Sequence, residues 1–311
     1  MATQVLLTVD TELSWGAHDR GASWRENLAL SYDPAGVGTR YQLDRLAAHG
    51  LKACFFVDPM PALVYGIEPI RHMVEPILAA GQEVQLHLHP CWADSSNPVF
   101  ELTDFDRGRQ LDLIRTARDL LVEAGAPSPI AFRSGSYAAD GSTLEALAAL
   151  DIAYDSSHNG SHHPSPSALP LEPRRIAPTS VSGVIEIPIS QIEQGSGRLR
   201  HLQICAVSFG EMRAALLHAA DRAHPVVALV GHSFELAARG GLRANRLLVR
   251  RFEKLCGFLA EHGEGLPTAH FTDLADLRLD AEASPLRSGA LRAAARMAEQ
   301  AWGNALYERA S

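Results

Sequence analysis

Short runs of β-branched and aromatic residues recur along the chain, and longer stretches with apolar residues at helical spacing lie between them. The short runs predict strands at 4–9, 52–57, 83–89, 130–132, 153–154, 184–187, 226–230 and 268–271. The longer stretches predict helices at 37–49, 69–80, 104–124, 212–222 and 245–262. This alternation is typical of a parallel sheet covered by helices, so the predicted fold class is α/β.

The number and continuity of these units favour one large domain. Seven or eight units follow one another without a break in composition, which indicates a closed or nearly closed α/β barrel, with a doubly wound open sheet as the alternative. In both architectures, functional side chains collect at the carboxyl ends of the strands. Two long stretches, 13–34 and 156–181, are predicted to be irregular loops, and loops of this length are commonly functional.

The end of the chain predicts one further helix. We place the main domain at 1–280 and a C-terminal helical extension at 281–311. One apolar stripe at helical spacing in the extension consists of Leu291, Ala294, Ala298, Trp302 and Leu306. We expect this stripe to pack on the outside of the barrel, and a contact between copies of the chain is the alternative.

Composition and charge exclude several classes of protein. Of the 311 residues, 46% are apolar and 21% are charged, close to the averages of globular proteins. The 36 acidic residues outnumber the 28 basic ones, and a net charge of -8 would repel a phosphate backbone, so no nucleic-acid partner is expected. A membrane span needs about 18 consecutive apolar residues. The sequence has no such run, so no span is expected.

The cysteines and the first residues bear on the compartment. The four cysteines are scattered without a Cys-x-x-Cys pair, which indicates reduced thiols in a chain of this size. The first twelve residues have neither the basic start nor the apolar run of a signal peptide. We therefore expect a cytoplasmic protein.

Two carboxylates follow the first predicted strand, in the segment Val9-Asp10-Thr11-Glu12. Asp10 and Glu12 are two positions apart and point the same way if the strand continues. Two carboxylates that lie close together need a cation or a shared proton between them. A role in helix capping or in a solvated loop is the alternative for this pair.

Two histidines leave the third predicted strand on one face, at His87 and His89. Two imidazoles and one carboxylate are the usual protein ligands of a catalytic zinc, with further positions open to water and substrate. Cys91 is a possible rival ligand. It is the weaker candidate, because a site rich in carboxylates that activates water has less use for a thiolate.

Two later strand ends carry side chains suited to acid–base chemistry. Arg133 precedes a glycine-containing turn and is suited to hold a carboxylate by a bidentate bond, and the turn is suited to aim a backbone N–H at an oxyanion. His232 has the pKa range of a general acid. His162 and His163 are adjacent in sequence, so their side chains project apart. We expect them to lie in a solvated loop or to contact the substrate rather than to bind a metal.

The order of these motifs resembles the polysaccharide deacetylase family with the NodB-type domain, carbohydrate esterase family four. The resemblance covers roughly residues 5–277 and includes 52–57 as the second strand and 81–87 before the histidines. It implies a distorted barrel of about seven parallel strands and a divalent ion, usually zinc, that serves to remove acetyl groups from N-acetylated sugars. Within the family, the sequence is similar to the branch with an Asp-x-Glu first motif and a His-x-His-Pro second motif.

The resemblance also implies the metal ligands. Glu12, His87 and His89 match the positions that hold the ion. Many members have adjacent aspartates in the first motif, so Asp10 is the alternative carboxylate ligand, with Glu12 behind it. Many members also space their histidines four apart, whereas these two are two apart.

The remaining roles implied by the resemblance belong to five residues. Asp10 matches the general base, and Arg133 matches the residue that orients it. A main-chain N–H near Tyr137 would contribute to the oxyanion hole, and Asp155 would support the site. His232 matches the general acid.

The expected function is the metal-dependent removal of an N-acetyl group from an acetylated amino sugar or oligosaccharide. Two alternatives remain at this point. One is a metal-dependent hydrolase of small non-sugar amides on the same barrel, and the other is a non-catalytic carbohydrate-binding relative.

Overall fold

Strands and helices alternate through most of the chain in a computed structural model that describes residues 2–303, 306 and 307. The strands are β1 (Gln4–Thr11), β2 (Cys54–Val57), β3 (Glu83–Leu88), β4 (Ala131–Ser134), β5 (Tyr154–Asp155), β6 (Thr179–Val181), β7 (Val184–Glu186), β8 (Gln191–Glu193), β9 (Leu199–His201), β10 (Val226–His232) and β11 (Leu286–Arg287). The helices are α1 (Trp15–Asp19), α2 (Trp24–Ser31), α3 (Thr39–His49), α4 (Ala62–Tyr65), α5 (Glu68–Ala79), α6 (Arg107–Glu123), α7 (Gly141–Ala149), α8 (Phe209–Asp221), α9 (Arg246–Glu261) and α10 (Ala290–Gly303).

The main sheet is curled and mostly parallel. Its strand order is β10-β1-β2-β3-β4-β5-β7-β6, and every pair except β6 with β7 is parallel, which gives seven parallel strands. The chain beyond β7 closes the curl, because the Ser190 N–H donates to the Ala228 carbonyl of β10 at 3.1 Å and the Ala228 N–H donates to Ser190 Oγ at 3.0 Å. The predicted distorted barrel is confirmed, and the doubly wound sheet is excluded.

The two faces of the sheet bury different groups. Val5 and Leu7 of β1 pack with the helices in the larger apolar cluster, whereas Leu6 packs with Phe56 in a smaller cluster inside the curl. Side chains alternate along a strand, so Asp10 shares the inner face with Leu6. The inner face is therefore apolar at the start of β1 and polar at its carboxyl end, where the functional residues were expected.

The strand predicted at 268–271 is wrong. Thr268 forms only an isolated bridge with Val5, and Phe271–Asp273 is a 3₁₀ turn. The carboxylate of Glu83 accepts the N–H groups of Phe271 at 2.7 Å and Thr272 at 3.1 Å. A side chain thus satisfies the backbone donors that a strand would have offered to a neighbour.

The irregular loop predicted at 13–34 is also wrong in part, because it contains α1 and α2. Ser14 and Ser23 cap these helices, and Glu26 completes a capping box with Ser23. Asn27 of α2 ties the two together, since its amide exchanges hydrogen bonds of 2.8 Å with both the N–H and the carbonyl of Ser14. The segment is an ordered wall beside the carboxyl end of β1.

The C-terminal helix α10 packs with the opposite face from the one predicted. Arg296 is buried and forms an ion pair of 3.3 Å with Glu211 of α8. The apolar stripe faces away from the barrel, since Leu291 is 89% exposed and Trp302 is 67% exposed. The expected packing of the stripe on the barrel is therefore wrong, and the contact between copies stays a prediction. None of the described helices combines the length and apolar character needed to cross a membrane.

Candidate metal centre and acid–base pair

Three predicted metal ligands converge at the carboxyl ends of β1 and β3. Glu12 follows β1, His87 is in β3 and His89 follows it, and their ligand atoms all lie within 4.8 Å of one another. Glu12 Oε2 is 3.3 Å from His87 Nε2 and 2.5 Å from His89 Nε2. The His87 side chain is only 3% exposed, whereas Glu12 and His89 are 18% and 22% exposed. His87 is thus buried, whereas Glu12 and His89 remain partly accessible to solvent.

The hydrogen bonding of His87 is that of a metal ligand. Its Nδ1 lies 2.7 Å from the carbonyl oxygen of Arg133, which can only accept, so Nδ1 donates there and Nε2 is the atom left for a ligand. That Nε2 lies 3.3 Å from Glu12 Oε2, which is also 2.5 Å from His89 Nε2. A carboxylate oxygen and two imidazole nitrogens that converge in this way share either protons or a cation. The donor set therefore fits a divalent ion of the zinc type.

The charges within the cluster shift two pKa values. Burial alone would raise the pKa of Glu12, but His89 and His87 outweigh it and hold that pKa well below its ordinary value. Burial alone would lower the pKa of His89, but the Glu12 carboxylate outweighs it and raises the pKa to about 9. In the absence of metal, the cluster keeps a proton on His89, which a cation would displace.

A third carboxyl group, Asp58, lies beside the cluster and was not among the predicted site residues. It follows β2, it is fully buried, and its N–H donates to the Thr11 carbonyl at 3.0 Å. Its Oδ1 accepts the Met60 N–H at 3.0 Å, whereas Oδ2 has no partner. Burial raises the pKa of Asp58 to about 6, against the opposing charges of His89 and His87. The sequence signal was its place directly after a predicted strand.

The predicted base, Asp10, is fixed by a buried cation. Its Oδ1 accepts a hydrogen bond of 2.6 Å from Arg133 Nη1. The guanidinium, which is fully buried, also donates to Thr8 Oγ1 at 2.9 Å and to the carbonyl and Oγ of Ser156 at 3.0 and 3.1 Å, and it lies 4.3 Å over the Phe56 ring. Arg133 therefore fixes the orientation of the Asp10 side chain through Oδ1. The second oxygen, Oδ2, is not bound by the guanidinium.

That second oxygen faces the predicted acid, His232, on the neighbouring strand. Asp10 and His232 are register partners in β1 and β10, and Oδ2 is 4.0 Å from Nε2. On the other side of the ring, Nδ1 is 3.2 Å from Gln203 Nε2 and 3.7 Å from Glu235 Oε2. Burial alone would lower the pKa of His232, but Glu235 and Asp10 outweigh it and raise the pKa to about 9.

Glu235 is a second residue that sequence reasoning missed. It is buried, and its two oxygens accept the N–H of Cys205 at 2.6 Å and the N–H of His232 at 2.9 Å. Burial alone would raise its pKa, but the hydrogen bond and charge of His232 lower it. The available signal was its place three residues after a candidate histidine in a strand-end segment.

The turn after β4 carries Tyr137 and touches the cluster of Glu12, His87 and His89. Ser136 and Tyr137 have φ angles of 55° and 61°, which side chains other than glycine rarely adopt. Gly135 packs so closely against His89 that a Cβ there would lie 2.4 Å from Nδ1. The phenol of Tyr137 is buried beside the charge of Asp10, and burial followed by that charge raises its pKa far above the ordinary value.

Asp155 lies apart from this cluster. It accepts a hydrogen bond of 2.7 Å from Ser157 Oγ, which in turn accepts the Ser134 N–H of the β4 turn at 3.0 Å. Its register partner is Glu186 of β7, and both carboxyl groups are fully buried. Burial raises the pKa of each, and the charge of Asp155 adds to the rise at Glu186. Asp155 therefore contacts the site indirectly, through Ser157 and the turn after β4.

The remaining candidates lie outside the cluster. His162 stacks near Tyr137 and His201 at ring distances of 5.7 and 5.2 Å, and burial lowers its pKa. Cys91 is buried beside the cluster, and burial together with the charge of Asp58 raises the pKa of its thiol strongly. A thiol that resists ionisation is a poor metal ligand.

A cavity of about 780 Å³ opens from the cluster. Glu12, His89 and Ser136 are among its lining residues. Trp15 and Trp92 are part of its wall, with their rings 5.0 Å apart and nearly perpendicular. Cavities of this size are typical of sites for small molecules.

Comparison with known proteins bears on the fold. No protein-family model and no curated protein matches the sequence. A structure from Mycobacterium smegmatis, provisionally described as a polysaccharide deacetylase, matches 91% of this chain and 95% of its own at 20% identity and a TM-score of 0.59. A 4-alpha-glucanotransferase from Thermococcus litoralis matches 90% of this chain and 41% of its own at 11% identity and a TM-score of 0.56. A family 4 carbohydrate esterase from Streptomyces lividans also matches, at 13% identity and a TM-score of 0.44.

The chain thus has the fold predicted from the resemblance, that of the polysaccharide deacetylases. The same fold also carries a glucanotransferase, so it does not select the reaction. The reaction must be argued from the side chains of the site. The branch with an Asp-x-Glu first motif remains a prediction.

Proposed function

We propose that the protein is a metal-dependent hydrolase that removes an N-acyl group, in the simplest case acetyl, from an acylated amino sugar. The observation that carries this proposal is the convergence of Glu12, His87 and His89 at 4.8 Å or less, beside the facing pair Asp10 and His232. Amide hydrolysis requires an activated water, a base that takes its proton and an acid that protonates the nitrogen. The site offers a candidate for each.

Glu12, His87 and His89 would hold the cation, in preference to a set that includes Asp10. Asp10 Oδ1 is already engaged by Arg133, whereas Glu12 Oε2 lies 3.3 and 2.5 Å from the Nε2 atoms of the two imidazoles. Zinc is the ion that two imidazoles and one carboxylate suit best. When bound, such an ion polarises the amide carbonyl and lowers the pKa of a water molecule to about 7.

Asp10 would take the proton of the attacking water. Arg133 fixes one of its oxygens and leaves Oδ2 facing His232. His232, whose pKa of about 9 keeps it protonated at neutral pH, would then give its Nε2 proton to the departing nitrogen. Glu235 and Gln203 hold the opposite side of the imidazole. The turn at Tyr137 would place a main-chain N–H beside the developing oxyanion, and Asp155 would brace that turn.

Acetate release and metal content together test this proposal. Purified protein is assayed with acetylated amino sugars, nucleotide-linked sugars, oligosaccharides and non-sugar amides, with and without a chelator. We expect acetate from a sugar substrate and its loss with the chelator. Turnover of non-sugar amides alone would favour the small-amide hydrolase, and sugar binding without metal or acetate release would favour the non-catalytic alternative.

The ligand variants Glu12→Ala, His87→Ala and His89→Ala should lose both metal and activity. His49→Ala is the matched control, because this histidine is exposed at the end of α3. His232→Ala should keep its metal and lose about 10²- to 10⁴-fold in kcat. Full metal occupancy in all three ligand variants would reject the metal site, and normal turnover by His232→Ala would reject the acid.

A further inference from the structure

Two arginines line the same cavity as the metal cluster, and neither has an acidic partner. Arg20 and Arg239 are exposed and face the cavity. Within the part of the chain that the structure describes, neither forms a salt bridge, although most of the other charged pairs in the molecule involve an arginine. Other exposed arginines, such as Arg222, also lack an ion pair to any described residue, but Arg20 and Arg239 are the two that line this cavity and present their charge to a ligand that enters it.

Both arginines are carried by ordered turns. Arg20 caps α1, and its Nη1 lies 3.4 Å from where a Cβ on Gly16 would stand, so the guanidinium folds back over the helix. Arg239 lies in a short hairpin in which the Ala238 N–H donates to the Arg243 carbonyl at 2.8 Å.

These two turns pack on a common support. A Cβ on Gly241, two residues after Arg239, would lie 3.2 Å from the carbonyl oxygen of Leu30 in α2. As described above, Asn27 of α2 is hydrogen-bonded to Ser14 at the start of α1. The two turns that carry Arg20 and Arg239 are therefore held by the same helix, α2.

Aromatic side chains also line this cavity. Trp15, Phe100 and Phe234 line it, and Phe100 and Phe234 are 50% and 39% exposed. Aromatic faces of this kind suit a sugar ring. The two acidic residues of the lining, Glu12 and Glu235, are engaged by His89 and by the Cys205 and His232 N–H groups. Among the described residues that line the cavity, Arg20 and Arg239 are therefore the cations without an acidic partner.

We propose that the substrate is an acylated amino sugar that carries an anionic group, a phosphate ester or a carboxylate, which Arg20 and Arg239 bind while the amide lies at the metal cluster. The planar guanidinium matches both anions with two parallel hydrogen bonds. A cavity of about 780 Å³ has room for a sugar and a charged substituent. This inference rests on the proposed function, because it assumes that the amide is hydrolysed at the cluster.

The test compares three substrates: N-acetylglucosamine 1-phosphate, N-acetylmuramic acid, which carries a carboxylate, and neutral N-acetylglucosamine. We expect Arg20→Gln and Arg239→Gln each to lower kcat/KM for the preferred anionic sugar by about 10- to 100-fold, mainly through KM, because each loses a charged hydrogen bond. The value for the neutral sugar should stay unchanged. Arg222→Gln, an exposed arginine outside the cavity, is the matched control. The substrate with the higher kcat/KM, the phosphate ester or the carboxylate, identifies the anionic group that the site binds.

Calorimetric binding of N-acetylglucosamine 1-phosphate and N-acetylmuramic acid to chelator-treated protein separates this inference from the proposed function. If no sugar releases acetate but one of these anions binds and binds more weakly to the arginine variants, the anion site stands and the proposed function fails. If neutral and anionic sugars are hydrolysed equally well and the variants match the wild type, the anion site is overturned and the proposed function stands.

Discussion

Removing one member of the buried Asp10–Arg133 pair should destabilise the protein, and removing the second member afterwards should recover part of the loss. The guanidinium is fully buried and Asp10 is 3% exposed. Arg133→Met removes the buried partner of the Asp10 carboxylate and leaves it only His232, 4.0 Å away, as a counter-ion, which costs about 3 to 5 kcal/mol of unfolding free energy. An unfolding entropy of about 2.1 cal/mol/K per residue gives about 0.65 kcal/mol/K for 311 residues, and hence a fall in Tm of about 5 to 8 °C.

Asp10→Asn in the Arg133→Met background replaces a buried charge that has lost its hydrogen-bonded partner with a neutral amide of the same shape. This second substitution should raise the unfolding free energy by about 1 to 3 kcal/mol, because a buried neutral group costs less than a buried charge. In the wild-type chain the same substitution should lower it, since the Arg133 cation then keeps only Thr8 and Ser156 as partners. The sign of the Asp10→Asn effect therefore reverses between the two backgrounds.

Urea unfolding of the wild type, both single variants and the double variant measures this coupling, with a chelator present so that metal binding does not contribute. The exposed pair Arg40 and Asp33 provides the control. Its charged atoms are 3.8 Å apart and its side chains are 67% and 31% exposed, so its coupling should be below about 1 kcal/mol. An Asp10→Asn effect of equal sign and size in both backgrounds would refute the reasoning.

Three further predictions follow from the contacts of the site. Glu235→Gln should lower the pKa of the proposed acid, His232, from about 9, so the alkaline limb of the kcat/KM profile should move to lower pH. An unchanged limb would contradict the role of the Glu235 carboxylate in raising this pKa. Gly135→Ala should displace His89 and weaken metal affinity about 10- to 100-fold in a chelator competition, whereas Gly141→Ala, with open space around it, should not. Glu186→Gln should stabilise the protein increasingly as pH rises above 4.5, because burial and a neighbouring carboxylate raise the pKa of this group in the fold; equal stabilities at all pH values would contradict this.

The strand ends were predictable from the sequence because the signals there are local. Alternation along a strand puts Asp10 on the inner face of β1, and the rule for parallel sheets places it at the same rim as His87 and His232. The structure brings these side chains together as the sequence predicted. Asp58 and Glu235 were missed, since a single carboxylate after a strand has no distinctive spacing and its importance depends on neighbours from other strands.

The wrong predictions about the fold also arise from contacts between residues that are far apart in sequence. The segment at 268–271 has the composition of a strand, but Glu83, far away in sequence, holds its backbone N–H groups in a turn. The periodicity of α10 correctly predicts a helix with one apolar face. It could not reveal that the buried pair Arg296 and Glu211 would turn that face outward.

Arg133 serves two parts of the site at once, since its main-chain carbonyl sets the proton on His87 and its guanidinium positions Asp10. Both tasks depend on the alignment of a strand of only four residues. A slip of β4 by one position would turn the guanidinium toward the helices and present a different carbonyl to the imidazole. The proposed cation binding and the proposed proton removal therefore both depend on the position of β4, so a substitution that shifts this strand should impair both together.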